Sequence, residues 1–194
     1  MNEKRVVLAS TSVSRRDLLG RILSNFDVVA PQVDEVPISG ESPADCALRL
    51  SILKAKAGAQ KTDGDIYIGS DQVAECEGVW LSKPGNVQNA LKQLALVSGK
   101  VARFHTGVCV FDRVTQTEHT ASITTEVKFR VLTQDEIERY VSLEDVLACA
   151  GSAKSEGLGI TLLESITGPD PTALIGLPLI TLSSMLRRLG MSLP

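Results

Sequence analysis

Residues 6–19, VVLASTSVSRRDLL, predict a strand, a polar loop and a helix in immediate succession. The apolar run over 6–9 is typical of a short buried strand, and aliphatic residues between 18 and 23 recur at helical spacing. The first backbone amides of a helix lack intrahelical acceptors, and the helix dipole adds partial positive charge at that end. An anion such as a phosphate group would therefore be stabilised where this loop meets the helix.

Polar side chains in the same stretch could bind phosphate oxygens. Ser10 and Ser12 offer hydroxyl donors. Arg15 and Arg16 offer planar guanidinium groups, which suit phosphate oxygens. The alternative is that Ser12 or Ser14 only caps the helix and that both arginines are solvated. The residues by themselves leave both interpretations open.

A second apolar strand is predicted over residues 65–71, DIYIGSD, and it ends in the carboxylate of Asp71. In open α/β sheets, ligands bind in the crevice outside the carboxyl ends of the strands. Asp71 is therefore a better candidate for a site residue than the other acids of the chain. The alternative is an aspartate that only forms a turn or a cap after the strand.

Further charged candidates lie in predicted loops and helices. Glu35 lies in an acidic loop over 31–40, and Lys54 lies near the middle of a predicted helix. Either side chain could simply be solvated. Lys154 and Glu156 lie in AGSAKSEGLG, residues 150–159, whose small residues let the backbone approach a ligand closely. The alternative for Glu156 is a loop acid paired with Lys154.

The order of the predicted elements indicates an α/β protein. Strands alternate with helices in the first half, and an antiparallel section with a hairpin around Glu77-Gly78 precedes the end, which predicts a mixed sheet flanked by helices. Helices are predicted to start at Ser42, Asn86 and Thr133, because these residues are suited to cap a helix N-terminus. A strand is predicted over 160–163, and a core helix is predicted from about residue 178 onward.

Composition and charge limit the class of protein. The 194 residues, 43% of them hydrophobic, suit a single domain over 1–194. A net charge of −3 argues against a nucleic-acid-binding surface. The four cysteines lack metal-binding or redox spacing and fit free thiols in a reducing cytoplasm. Since no apolar run approaches the length of a membrane span, we expect a cytoplasmic protein that binds neither nucleic acid nor membranes.

Taken together, these segments resemble the Maf family of nucleotide pyrophosphatases. The matching segments are, in chain order, LASTS with Arg15-Arg16 and Leu18-Leu19, Val33-Asp34-Glu35, Arg49-Leu50 with Lys54-Ala55, Ile68-Gly69-Ser70-Asp71-Gln72-Val73, Lys83-Pro84, and Gly151-Ser152 with Lys154-Ser155-Glu156-Gly157. An ordered set across nearly the whole chain is specific, whereas one short motif would carry little weight. The resemblance implies an elongated mixed sheet with a central cleft, shared with the inosine-triphosphate pyrophosphatase fold, usually in a homodimer.

The resemblance also implies a reaction, the hydrolysis of a nucleoside triphosphate between its α and β phosphates. Asp71 matches the family's catalytic residue, which is proposed to accept a proton from water. The phosphate-binding candidates are Ser10, Ser12, Arg15, Arg16, Lys54, Lys83 and Lys154. Carboxylates beside phosphates need a positive charge between them, so Glu35 and Asp71 are the expected ligands of a divalent cation, Mg²⁺ or Mn²⁺.

Three positions bear on the choice of base. Gln72, directly after the catalytic acid, and Glu156 resemble the branch of the family that acts on 7-methyl-GTP. Glu156 could accept hydrogen bonds from guanine and offset the positive charge that N7-methylation adds. Ser14 stands at a specificity position where that branch is expected to carry a bulkier residue, so dTTP or UTP is the alternative substrate.

Two other classes of function stay open at this point. The chain could be a nucleotide-binding regulator of cell division with weak turnover. It could also be a phosphatase or a kinase-like protein that uses the same anion-binding loop, although no Walker pattern or Gly-x-Gly-x-x-Gly loop supports a kinase. Release of pyrophosphate, of orthophosphate, or of neither would separate these classes from one another.

Overall fold

The computed structural model describes residues 4–193. Strands and helices are distributed over this range. The strands are β1 Val6–Ala9, β2 Asp27–Val29, β3 Ile66–Cys76, β4 Val79–Leu81, β5 Val101–Asp112, β6 Thr117–Phe129 and β7 Leu163–Thr167. The helices are α1 Val13–Leu19, α2 Pro43–Lys61, α3 Val87–Val97, α4 Gln134–Leu143 and α5 Leu179–Arg188, with short 3-10 helices at Ala150–Ser152 and Leu158–Leu162.

The strands form one mixed sheet in the order β2-β1-β3-β5-β6-β7, with β4 paired to β3. Strand β1 pairs in parallel with both β2 and β3, whereas β4 runs antiparallel to β3 and β7 antiparallel to β6. The turn between β3 and β4 places Glu77 and Gly78 at positive φ, as a tight hairpin requires. The predicted α/β class, mixed sheet and hairpin are confirmed.

The chain divides into two compact units. The first unit takes its described residues from 1–71, 106–123 and 170–194, and the second takes its residues from 72–105 and 124–169. Strands β3, β5 and β6 each contribute residues to both units. The single domain over 1–194, the elongated shape and the central cleft stay predictions.

The first unit buries apolar side chains on both faces of its strands. Successive residues of a strand point to opposite faces. Leu8 and Ile68 pack in a cluster with the apolar sides of α1 and α5. Their neighbours Val7 and Tyr67 pack in a second cluster with Ala55 of α2. The prediction that the last helix belongs to the core is confirmed.

Helix α2 lies unusually close to two strands of the first unit. A β-carbon built on Gly69 of β3 would lie 2.1 Å from the carbonyl oxygen of Ser51 and 2.5 Å from the amide nitrogen of Ala55. A β-carbon on Gly107 of β5 would lie 2.3 Å from the carbonyl oxygen of Ala47. Because no side chain fits at either position, the backbone of α2 rests directly on the sheet.

The predicted helix starts are confirmed. The side chains of Ser42, Asn86 and Thr133 each accept a hydrogen bond from a backbone amide in the first turn of α2, α3 and α4, respectively. Thr133 also forms a capping box with Glu136. The four cysteines are free thiols, as predicted.

Two predicted elements differ in the structure. The first helix ends at Leu19 instead of continuing through residue 23, and Gly20 closes it by donating to the carbonyl of Arg16. The strand predicted over 160–163 is wrong, because residues 158–162 form a 3-10 helix and β7 begins at Leu163. The hydroxyl of Thr161 donates to the carbonyl of Leu158, which stabilises the turn instead of an extended chain.

Within residues 4–193, no helix has both the length and the apolar character needed to cross a membrane.

Candidate active site

Asp71 lies inside strand β3 and not at its end. The prediction of a strand that stops at residue 71 is wrong, because β3 continues to Cys76 and pairs there with β4. The last residue of β3 that pairs with β1 is Gly69, and the first that pairs with β4 is Ala74. Asp71 therefore lies just beyond the carboxyl end of β1, where a ligand crevice is expected.

A buried ammonium group joins two carboxylates in the first unit. Lys54 Nζ lies 2.5 Å from Oδ1 of Asp71 and 2.7 Å from Oε1 of Glu35. The side chains of Lys54 and Asp71 are 7% and 11% exposed, whereas that of Glu35 is 51% exposed. The structure thus brings together three of the predicted site residues. Lys54 is not the solvated lysine that its mid-helix position suggested.

The loop between β1 and α1 uses its two serines to order its own backbone. Ser10 is buried, and its Oγ accepts a hydrogen bond from the amide of Ser12 at 3.1 Å. Ser12 is the N-cap of α1, and its Oγ accepts from the amide of Arg15 at 3.3 Å. Since both hydroxyls act as acceptors in these bonds, their protons remain for a ligand. Ser14 lies within α1 and is partly exposed.

The guanidinium of Arg15 is anchored from one side. Its Nε donates to the carbonyl oxygen of Gly176 at 2.8 Å, and the buried Ser70 hydroxyl lies 2.9 Å from the same oxygen. Burial lowers the pKa of Arg15, while the negative charges of Asp71 and Glu35 raise it. Arg15 therefore lies within electrostatic reach of both carboxylates, with its terminal nitrogens not engaged by the Gly176 bond.

Arg16 has a different environment from Arg15. Its side chain is 57% exposed, and its Nε lies 3.7 Å from a carboxylate oxygen of Asp17, which is 65% exposed. An exposed ion pair at this distance holds neither partner firmly, so Arg16 could turn toward a ligand.

The loop that carries Glu35 is tied to helix α2 by an ion pair that sequence reasoning missed. Arg49 and Glu41 face each other with two close contacts, 2.6 Å from Nε to Oε1 and 2.8 Å from Nη2 to Oε2. The hydrogen bonds from Arg49 lower the pKa of Glu41 to about 2. Arg49 belongs to a segment that matches the family pattern, Arg49-Leu50 with Lys54-Ala55. Nothing in the sequence near Glu41 predicted that it would pair with Arg49.

Tyr140 of helix α4 and Glu144, the residue directly after it, order the loop over 153–159 in the second unit. The hydroxyl of Tyr140 accepts from the amide of Lys154 at 3.0 Å. The carboxylate of Glu144 accepts from Lys154 Nζ at 3.2 Å and from the amide of Leu158 at 2.9 Å. Burial raises the pKa of Tyr140 to about 12. The amide of Leu158 is the main cause that lowers the pKa of Glu144.

Gly157 leaves room for this arrangement, because a β-carbon there would lie 2.4 Å from Oε2 of Glu144. Lys154 pairs with Glu144, and among the described residues no ion pair is recorded between Lys154 and Glu156. Glu156 itself is exposed on the loop. Sequence reasoning missed both Tyr140 and Glu144 as partners of this loop.

The remaining site candidates of the second unit have simpler surroundings. Lys83 is exposed, and the structure records no ion pair for it with any residue between 4 and 193. Gln72 follows Asp71 in β3 and is partly buried.

A divalent cation could be held here only together with a ligand. Within the described range 4–193, no group of three or more His, Cys, Asp or Glu side chains is placed to hold a metal ion by itself. Lys54 contacts one oxygen of Asp71 and one of Glu35, which come from different elements. Mg²⁺ is commonly held by one or two carboxylates together with substrate phosphates and water. Glu35 and Asp71 are the two carboxylates of this cluster, and they stay the predicted ligands.

Comparison with known proteins gives a match over nearly the whole chain. Residues 5–189 match the family described as Maf-like protein. A relative from Aromatoleum aromaticum, named 7-methyl-GTP pyrophosphatase, is 50% identical over 194 residues that cover all of both chains. Relatives of the same name from Burkholderia thailandensis and Xanthomonas oryzae pv. oryzae are 47% and 50% identical, over 96% and 98% of this chain and 88% and 99% of their own. This chain belongs to the Maf family.

Proposed function

We propose that this protein is a nucleoside triphosphate pyrophosphatase that hydrolyses 7-methyl-GTP to 7-methyl-GMP and pyrophosphate. The observation that carries the proposal is that the buried ammonium of Lys54 contacts both Asp71 and the half-exposed Glu35. The substrate is suggested by relatives at 47–50% identity that are named 7-methyl-GTP pyrophosphatase. Removal of a modified nucleotide from the cellular pool is the role that this activity implies.

Asp71 acts in this proposal as the proton acceptor for the attacking water. Lys54 donates to Oδ1 of Asp71, which fixes the orientation of the carboxylate. The water oxygen bonds to a phosphorus of the α–β anhydride, and the bridging P–O bond breaks. Its electron pair leaves on the departing phosphate group. The protein then contributes mainly positioning and charge stabilisation.

The cations and hydroxyls of the first unit hold the triphosphate. Arg15 uses its Nε for the carbonyl of Gly176, so its terminal N–H groups can donate to phosphate oxygens. Ser10 and Ser12 donate their hydroxyl protons, and Arg16 and Lys54 add positive charge. Lys83 and Lys154 of the second unit are the remaining phosphate-binding candidates.

Three residues select the base. Glu156 is exposed on a loop that Tyr140 and Glu144 hold in place, so its carboxylate can accept from the N1–H and amino groups of guanine. Its negative charge offsets the positive charge of the N7-methylated ring. Gln72 can hydrogen-bond a base edge. Ser14, the third of these residues, has a small side chain that leaves space for the base.

A divalent cation is part of the proposal. Glu35 and Asp71 would hold Mg²⁺ or Mn²⁺ together with phosphate oxygens, and the ion would polarise the phosphate under attack. We further propose that the enzyme works in the cytoplasm as a homodimer and does not bind nucleic acid, in keeping with its net charge of −3.

The test is a substrate panel with two products measured. Purified protein with Mg²⁺ or Mn²⁺ is given 7-methyl-GTP, GTP, UTP and dTTP, and both pyrophosphate and orthophosphate are quantified. We expect pyrophosphate, with the highest kcat/KM for 7-methyl-GTP. A preference for dTTP or UTP would overturn the substrate, orthophosphate would indicate a phosphatase, and binding without turnover would indicate a regulator.

Asp71→Asn tests the proposed proton acceptor in the same assay. The amide keeps the shape of the side chain but accepts a proton poorly, so we expect kcat to fall by about 100-fold or more. Asp63→Asn is the matched control, since the Asp63 side chain is 90% exposed and pairs only with Arg113 among its described neighbours. Near-normal turnover in Asp71→Asn would dismiss the role of this residue.

A further inference from the structure

The Arg49–Glu41 ion pair has the geometry of a fixed clamp. Both contacts run between the planar guanidinium and the two oxygens of one carboxylate, at 2.6 and 2.8 Å. The side chains are 23% and 10% exposed, so water competes little with the pair. Bidentate pairs of this kind fix orientation as well as distance, which an ordinary surface ion pair does not.

The clamp also holds the backbone of the loop. Arg49 Nη2 donates to the carbonyl of Val36 at 3.3 Å, and the amide of Ile38 donates to Oε2 of Glu41 at 3.2 Å. The amide of Val36 donates in turn to Asp34 at 3.0 Å. No described residue between 31 and 41 belongs to a helix or a strand. The clamp therefore supplies order that regular secondary structure does not.

The residue next to the held carbonyl is Glu35. Its carboxylate reaches Lys54 Nζ at 2.7 Å, although its side chain is 51% exposed. Arg49 and Lys54 lie on the same helix, α2, so this helix contacts the loop through the clamp and through the buried ammonium. Without these contacts, the exposed carboxylate of Glu35 would sample many positions. Only some of these positions would let it bind the proposed cation beside the phosphates.

We propose that Arg49 and Glu41 are positioning residues that hold Glu35 beside Lys54 and Asp71. The inference rests on the proposed pyrophosphatase activity and adds two residues that do not touch the substrate. Arg49 acts through the backbone of Val36, and Glu41 fixes Arg49. Their whole effect on catalysis then passes through the Glu35 carboxylate.

A double-mutant cycle between Arg49 and Glu35 tests this dependence. Arg49→Lys keeps the charge but loses the planar fork, and we expect kcat/KM to fall by about 10-fold, as for other residues that orient a ligand. Glu35→Gln is measured alone and with Arg49→Lys. If Arg49 acts through Glu35, the second substitution changes kcat/KM by less than about 2-fold in the Glu35→Gln background.

Thermolysin cleavage supplies a measurement that does not depend on turnover. The protease cuts before large aliphatic residues unless proline follows them, so the exposed Ile38 is a site in this loop and Val36, which precedes Pro37, is not. Arg49→Lys and Glu41→Gln are both expected to accelerate cleavage before Ile38. Arg103→Lys is the control, because Arg103 also pairs with carboxylates but lies in the second unit and is 49% exposed.

The outcomes separate the two proposals. An inactive wild-type protein would refute the proposed function. An active wild type in which Arg49→Lys costs the same factor with and without Glu35 would overturn the inference, and so would unchanged cleavage of the loop. Circular dichroism of each variant establishes that it is folded, and Glu41→Gln serves in place of Arg49→Lys if the latter does not fold.

Discussion

Replacing Lys54 by methionine should destabilise the protein far more than an ordinary lysine substitution. Methionine keeps an unbranched stem of similar length but removes the ammonium. Asp71, 11% exposed, would lose its partner at 2.5 Å and remain as an uncompensated buried carboxylate. The 51% exposed Glu35 can turn to water and should add little to the cost.

The magnitude follows from the burial of the pair. Removing one partner of a buried ion pair typically costs about 3–5 kcal/mol. Because both side chains retain slight exposure, we expect about 3 kcal/mol for Lys54→Met. For a chain of this length, each kcal/mol lowers Tm by about 2–4 °C, so Tm should fall by about 6–12 °C.

The assay is urea unfolding followed by circular dichroism, with Lys56→Met as the matched control. Lys56 lies on the same helix and pairs with Glu118 at 2.6 Å, but its side chain is 45% exposed. Its loss should cost no more than about 1 kcal/mol. Asp71→Asn added to Lys54→Met should recover about 2 kcal/mol, because the buried charge is then gone.

Two results would refute the reasoning. If Lys54→Met lowers the free energy of unfolding no more than Lys56→Met does, the buried Lys54–Asp71 pair does not contribute more to stability than an exposed pair. If Asp71→Asn lowers the stability of the Lys54→Met variant further, the cost does not come from an unpaired carboxylate.

Two further substitutions test other contacts. Gly157→Ala should displace the Glu144 carboxylate, whose Oε2 would lie 2.4 Å from the new β-carbon, and lower the free energy of unfolding by about 1–2 kcal/mol in urea titrations. An unchanged midpoint would contradict that contact. Asp170 is buried and accepts from the amides of Ile180 and Thr181, so Asp170→Ala should cost about 2 kcal/mol and speed hydrogen exchange at those amides. Unaltered exchange there would show that α5 does not need this acceptor.

Elements with a local cause could be predicted from the sequence. Ser42, Asn86 and Thr133 cap helices because a side-chain oxygen reaches an amide two or three residues on, and the sequence contains both partners. The motifs also predicted candidate site residues, three of which, Glu35, Lys54 and Asp71, lie in contact. Their partners within the chain could not be predicted, because those partners lie far away in sequence.

Strand β3 shows why a local signal can mislead. Gly69 and Ser70 suggested a strand end, yet the glycine is needed for the approach of α2, and the serine hydroxyl lies 2.7 Å from the carbonyl of Gly107. Lys54 suggested a solvated side chain for a similar reason. Its burial depends on what lies opposite α2, namely Asp71, which is 17 residues away in the chain.

The contact of α2 with bare backbone at Gly69 and Gly107 has a consequence for how this enzyme can change. No side chain lies between α2 and the strands at these two glycines, so the distance between helix and sheet cannot change by a change of side-chain rotamer. This distance sets how closely Lys54 of α2 approaches Asp71 of β3. Core side chains elsewhere can repack after a mutation without changing the distance between α2 and the sheet. The part of the cluster that this contact does not fix is the loop that carries Glu35, which belongs to no helix or strand.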